Sequence, residues 1–204
     1  TDAVKNNPDP SIYKTGLALG SRMLLTTPLT KKVKWHLKPK IYLTDLEKAE
    51  GKIWLHKQGV DLEQPLTMVS VLGSSENKTF PYSYMATVLD KFVATTGSQL
   101  LFNYIPNQKK EALAIFNACS KATQQHIFIN AFAPSIRDFL KILSHCTGII
   151  GNEGGAINMG KAIDIPTFSI FSPWINKTSW NVSEDGKKHI SMHLQDFQSE
   201  LYLN

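Results

Sequence analysis

Cysteine is nearly missing from this 204-residue chain, which has only Cys119 and Cys146. They stand in no C-x-x-C pair and no metal-ligand spacing. That excludes a disulfide-stapled scaffold and a cysteine zinc site, and it predicts two reduced core thiols in a cytoplasmic setting. Missing too are a basic-then-apolar leader and any apolar run near the ~20 residues that cross a bilayer, so no integral membrane protein is expected. The histidines are His36, His56, His126, His145, His189 and His193. Only His189 and His193 have a four-residue spacing worth weighing, and they lack the intervening glutamate of a zinc-protease helix, so all six read as surface or core residues and no metal or cofactor is expected. Neither G-x-G-x-x-G nor G-x-x-x-x-G-K-[ST] occurs, which leaves a generic dinucleotide or P-loop assignment without support.

What is present is an ordinary globular composition, 42% hydrophobic and 19% charged. It suffices for one full core plus an extension. The net charge of +5 is unevenly placed: residues 1–60 carry 11 Lys and Arg against 5 Asp and Glu, whereas residues 61–204 carry 11 against 12. The excess gathers in Lys31, Lys32, Lys34, Lys38 and Lys40. Such a stretch is either a solvated basic segment or a surface for an anionic partner, a membrane or a phosphorylated substrate. Nucleic acid is not expected, because no base-reading helix or aromatic-rich basic strand pair accompanies the lysines. Residues 1–40 are broken by Asn6-Asn7-Pro8-Asp9-Pro10, Gly16, Gly20 and Thr27-Pro28, and read as a connector or the remnant of another domain. The chain opens on Thr-Asp-Ala-Val rather than on methionine, which suits either a fragment of a longer protein or a trimmed chain.

From residue 41 a single domain is expected. Residues 45–58 read as a helix with Leu46, Ala49, Ile53 and Trp54 on its packed side, ending at Gly59. Short apolar runs at 67–72, 99–103, 126–130, 147–150 and 167–171 then alternate with helical patterns at 83–94, 108–121, 136–145 and 156–163, and residues 188–192 could add a last strand. Near-continuous apolar strands between helices indicate a parallel sheet covered on both faces, a doubly wound, Rossmann-like α/β fold. Ser135, with Asp138 three residues on, forms a near capping box, and Ile136, Phe139, Leu140 and Leu143 recur at core spacing.

Two of the strands run into polar, glycine-bearing loops that open helices: Gly73-Ser74-Ser75-Glu76-Asn77-Lys78 and Gly151-Asn152-Glu153-Gly154-Gly155. Glycine lets backbone approach a ligand, a helix N-terminus offers free N–H groups to phosphate, and Lys78 adds a full charge. If the strands preceding the two loops are neighbours, the loops meet at one site where strand order reverses. The candidate phosphate-binding residues are therefore Gly73, Ser74, Ser75, Lys78, Asn152, Glu153, Gly154 and Gly155. For each a plainer role exists: a solvated lysine, a turn serine, a surface carboxylate, tight helix–strand packing.

The residues Val69-Ser70-Val71-Leu72-Gly73-Ser74-Ser75-Glu76-Asn77-Lys78-Thr79-Phe80-Pro81 resemble the "P-G-A-S…K-x-W-P" segment of the heptosyltransferases, the ADP-heptose:lipopolysaccharide glycosyltransferases of family nine. Ser135-Ile136-Arg137-Asp138-Phe139-Leu140, Ile149-Ile150-Gly151-Asn152-Glu153-Gly154-Gly155 and Ile165-Pro166-Thr167-Phe168-Ser169-Ile170-Phe171-Ser172-Pro173 are similar to that family's "L-x-E-L…V-x-x-D-T-G-x-x-H-x-A-A-x-x-x-x-P-x-V-x-L-F-G-P" stretch. The resemblance implies the C-terminal, donor-binding half of a bacterial GT-B enzyme. It implies a nucleotide-activated sugar as donor, a lipopolysaccharide-core or other glycan as acceptor, and a cytoplasmic place, peripheral at the inner membrane. The catalytic aspartate would lie outside this half, so its own catalytic residue is unknown. Asn152-Glu153-Gly154 stands where the family has Asp-Thr-Gly, Ile157 stands where it has histidine, and residues 103–109 offer Asn107 and Gln108 where it often has an acidic residue. A nucleotide sugar other than ADP-heptose, a non-catalytic nucleotide-sugar-binding domain, and a nucleotide-sugar epimerase remain open readings.

Overall fold

The computed structural model describes residues 39–181 and 183–198. The upstream basic lysines Lys31, Lys32, Lys34 and Lys38, and the expected connector up to residue 38, lie outside the described residues. The elements run α1 (Asp45–Lys57), β1 (Leu66–Ser70), α2 (Tyr82–Thr96), β2 (Gln99–Asn103), α3 (Lys109–Ala118), α4 (Lys121–Gln124), α5 (Ile136–Leu143), β3 (Gly148–Asn152), α6 (Gly155–Ala162), β4 (Thr167–Ile170), α7 (Lys177–Trp180) and β5 (His189–Met192). All strand pairs are parallel, in the order β2-β1-β3-β4-β5.

The doubly wound expectation holds because the strands bury residues on both faces. In β1 every residue is buried. Met68 joins Leu55, Leu101, Phe139, Leu140, Leu143 and Ile149 under α1, α5 and α6, while Val69 joins Met85, Leu89, Leu100, Phe102 and Ile115 under α2 and α3. Successive residues point to opposite faces, so an uninterrupted apolar run is what a two-sided core requires. The helix ends follow local chemistry. The Ser135 hydroxyl accepts from Asp138 N at 3.1 Å. α2 stops at Gly97, whose φ of 65° is in the left-handed region.

Three expectations need correction. Residues 126–130 form no strand: Leu100 N donates to His126 O (2.8 Å) and Phe128 N to Leu100 O (2.9 Å), one bridge beside β2, and the chain then turns as Ala131 N reaches back to Phe128 O. On α1 the packed side is Gly51 and Leu55 with half-buried Trp54, whereas Leu46, Ala49 and Ile53 are exposed. The helix sits this way because Gly51 allows backbone contact with α5, a Cβ there falling 2.6 Å from Lys141 O. Ile136 is exposed at the first position of α5, and the core stripe begins at Phe139.

Charged groups bind α1 to α5 at the surface. Arg137 donates to both oxygens of Glu47 (2.5 and 2.8 Å) and to Tyr42 O, and Lys141 pairs with Glu50 and Asp138. The guanidinium hydrogen bond, helped by Thr44 N, holds the Glu47 carboxyl at about 2.

Candidate functional site

Strand order reverses between β1 and β3: the chain leaves β1 toward β2 on one side and returns to β3 on the other. The carboxyl ends of these two neighbours carry the two glycine-bearing loops, with Ser70 opposite Gly151 in register. The close approach is enforced at Gly151, whose φ is 124° and whose Cβ, if it had one, would lie 2.3 Å from Ser70 O. No other residue fits that position without separating the strands.

Asn152 then fastens one loop to the other. It is 1% exposed. Its Nδ2 donates to Ser70 O (3.1 Å) and Val71 O (2.9 Å), and its Oδ1 accepts from Phe80 N (2.6 Å). Both amide protons and one oxygen lone pair are thus committed to backbone, so Asn152 positions the loops.

The β1 loop is closed by its own bonds. Gly73 N donates to Thr79 Oγ1 (3.0 Å), which donates to Ser75 O (2.9 Å), and a Cβ at Gly73 would meet Lys78 O at 2.3 Å. Gln108, after β2, donates to Gly73 O (3.2 Å) and also accepts from Ile105 N (3.3 Å). Ser74 and Ser75 are exposed, Ser75 donating to Asn77 Oδ1, and half-buried Lys78 ends the 3-10 turn Glu76–Lys78. Among the described residues Lys78 makes no ion pair.

On the β3 side, Glu153 N extends the ladder to Ile170 O (2.9 Å), and α6 begins at Gly155 with no side chain capping it. Its first-turn N–H groups have no intrahelical acceptors. A Cβ on Gly154 or Gly155 would meet nothing within 4 Å, so these two glycines border open space rather than a packed contact. Tight packing falls instead at Gly160, where a Cβ would sit 2.8 Å from Ile149 Cγ2. Glu153 is half-buried, and its carboxylate acts on Lys161 of α6. Burial drives the Lys161 ammonium toward losing its proton, while Glu184, Glu153 and Asp185 oppose that. Ile157 is 1% exposed and belongs to the core.

A third loop joins the other two: Ser172 Oγ donates to Asn77 O (2.7 Å). This contact, the Thr79 clasp and the Gln108 brace were not foreseen from sequence. A hydroxyl that closes a loop on backbone leaves no periodic signal.

The two histidines at four-residue spacing have local partners. His189 Nδ1 lies 3.2 Å from Thr167 Oγ1, and His193 Nδ1 accepts from Gln195 N. Among the described residues no three His, Cys, Asp or Glu side chains gather as metal ligands, and no helix is long and apolar enough to cross a membrane. A hollow of about 220 Å³ between α1 and α5 has as polar lining Glu50, Asp138 and Lys141, which are spent on each other in ion pairs.

Solved structures share this architecture. The chain is similar to the glycosyl transferase family 9 protein from Veillonella parvula DSM 2008, with a TM-score of 0.64 and 15% identity, covering 80% of this chain and 46% of that one. It is similar to E. coli ADP-heptose lps heptosyltransferase II, with a TM-score of 0.60 and 13% identity, covering 76% and 45%. A third is E. coli heptosyltransferase WaaC with ADP-2-deoxy-2-fluoro heptose, at 0.50 and 13%, covering 88% and 50%. No family model and no curated protein matches the sequence. The chain thus spans about half the length of these structures and has a glycosyltransferase-like fold.

Proposed function

We propose that this chain binds the diphosphate of a nucleotide-activated sugar across the β1/β3 switch point and is the donor-side half of a glycosyltransferase. The observation that carries the reading is the fastening of the two loops by Asn152, beside an uncapped helix start whose glycines border open space. Open α/β sheets take ligands at such a point.

In inverting transfer the acceptor hydroxyl attacks the anomeric carbon, the bond from that carbon to the diphosphate oxygen breaks, and a base takes the hydroxyl proton. The charge that grows on the departing diphosphate is met here by Lys78 and the first-turn N–H groups of α6, with Ser74 and Ser75 as further donors. The base belongs to a part of the enzyme outside this domain. An ADP-heptose-like donor and a lipopolysaccharide-core or other glycan acceptor are the reading that the sequence resemblance favours, and the printed names of similar structures support it. A cytoplasmic place, with Lys31, Lys32, Lys34, Lys38 and Lys40 drawn to anionic inner-membrane lipid, fits the charge distribution.

Calorimetry with inorganic pyrophosphate and ADP tests the site. Lys78→Ala should weaken both by about 1.5–3 kcal/mol, the size of a lost charge-assisted hydrogen bond. The melting temperature should stay put, since Lys78 holds no ion pair among the described residues. Equal binding by wild type and Lys78→Ala removes the phosphate role. The buried Ile157 at the family's histidine position favours a second reading, binding without turnover. It predicts nucleotide affinity with no transfer when an acceptor-side domain is supplied.

A further inference from the structure

Trp174 is 81% exposed, the most exposed large apolar side chain among the described residues. Its backbone is nonetheless tightly held. Ile175 N donates to Ser172 O (3.0 Å), closing a four-residue turn with Pro173 at its second position and Trp174 at its third. Ile175 anchors the far side at 7% exposure. Ser172 Oγ ties the near side to Asn77 O. Just beyond, Asn176 Oδ1 accepts from Thr178 N and Ser179 N, and Lys177 Nζ bonds Asp196 at 2.7 Å. A rigid turn that holds an unburied indole is pre-organised for a partner, because little ordering remains to oppose binding.

Its place in the sheet selects the part of the ligand it would meet. Trp174 follows β4, on the side of the switch point away from β2. In dinucleotide-binding sheets of this kind the ribose is held by a residue after β2 and the pyrophosphate lies at the loop after β1, and the same direction is taken for the ligand here. Whatever the diphosphate carries at its other end therefore extends over β3 and β4. The anchoring contact brings the turn to Asn77, the residue beside Lys78. A pyranose ring offers a face of C–H groups, and the indole face is electron-rich and flat.

We propose that Trp174 is a stacking platform for a sugar ring, either that of the donor or the terminal ring of a glycan acceptor. This assignment rests on the nucleotide-sugar reading above. The test uses the full chain, as wild type, Trp174→Ala and Trp174→Phe, titrated with inorganic pyrophosphate, ADP, ADP-heptose and a heptose-bearing core oligosaccharide. Pyrophosphate and ADP should bind all three proteins within about twofold. Trp174→Ala should weaken ADP-heptose or the oligosaccharide roughly tenfold, the scale of one aromatic stacking contact, and Trp174→Phe should restore most of the loss. A loss confined to ADP-heptose identifies the donor ring, and one confined to the oligosaccharide identifies the acceptor ring. If both sugars bind Trp174→Ala like wild type, the assignment is overturned. It is also overturned if ADP weakens as much as ADP-heptose, because the indole then meets the base. A wild-type chain that binds neither pyrophosphate nor ADP instead refutes the parent reading, and the assignment falls with it.

Discussion

Replacing Asn152 should be costly, and the reason is countable. The side chain satisfies Phe80 N and the carbonyls of Ser70 and Val71 in a place that is 1% exposed. Asn152→Ala leaves a partly buried N–H without its acceptor and two carbonyls without a donor. The loss is about 3 kcal/mol, most of it from desolvated groups left unpaired. For a domain of this size that corresponds to a fall in melting temperature of roughly 6–12 °C. Asn152→Asp discriminates further. Its carboxylate can still accept from Phe80 N but faces two carbonyl oxygens, so burial and repulsion raise its folded pKa above the unfolded value near ~3.9. Protonated, it can donate to one carbonyl. The Asp variant should therefore come nearest to wild type below about pH 4, and its deficit should grow as pH rises to the folded pKa, then level off. Thermal and urea denaturation followed by circular dichroism across pH 3–8 measures both. An Ala variant within about 0.5 kcal/mol of wild type, or an Asp deficit independent of pH, would refute the reasoning.

Glu47, held at about 2 against an ordinary 4.5 by Arg137 and Thr44, gives stability that is complete above the unfolded value and lost as pH falls toward 2. Glu47→Gln should flatten the acid limb of the stability profile in that window, and an unchanged limb would show the ion pair to be inert. Cys119 and Cys146 are buried thiols pushed up to about 12, chiefly by burial, so the native protein should react with a thiol reagent only as fast as it opens, and both should react at once in denaturant. Prompt modification of either in the native state counts against the described core.

Much of the fold was legible because two-sided strands leave an obvious trace. Met68-Val69, Val71-Leu72 and Leu100-Leu101-Phe102 are apolar at successive positions without alternation, as a sheet covered on both faces needs. The site loops were legible for a related reason: glycine, serine and lysine directly after such a run break the apolar pattern abruptly. What could not be read was which way amphipathic residues turn when a glycine intervenes. Leu46 and Ile53 look like a packed stripe, but Gly51 brings α1 to α5 on the opposite side and leaves them in water. Residues 126–130 have strand composition, yet the chain turns back after a single bridge at Ile127. The tasks of Asn152, Thr79 and Ser172 depend on partners as many as 95 residues away, and local pattern holds no record of them.

The central claim is that a nucleoside diphosphate lies between the β1 and β3 loops. Amide shift mapping of the ¹⁵N-labelled chain titrated with ADP tests it most directly. The account predicts saturable shifts at Gly73, Ser74, Ser75, Lys78, Gly154, Gly155 and the first turn of α6, since the two loops and the helix start that they open would carry the diphosphate. Shifts confined to the opposite sheet edge, around Thr95, Ser98, Lys121 and Gln125, or no shifts at millimolar ADP, would contradict it.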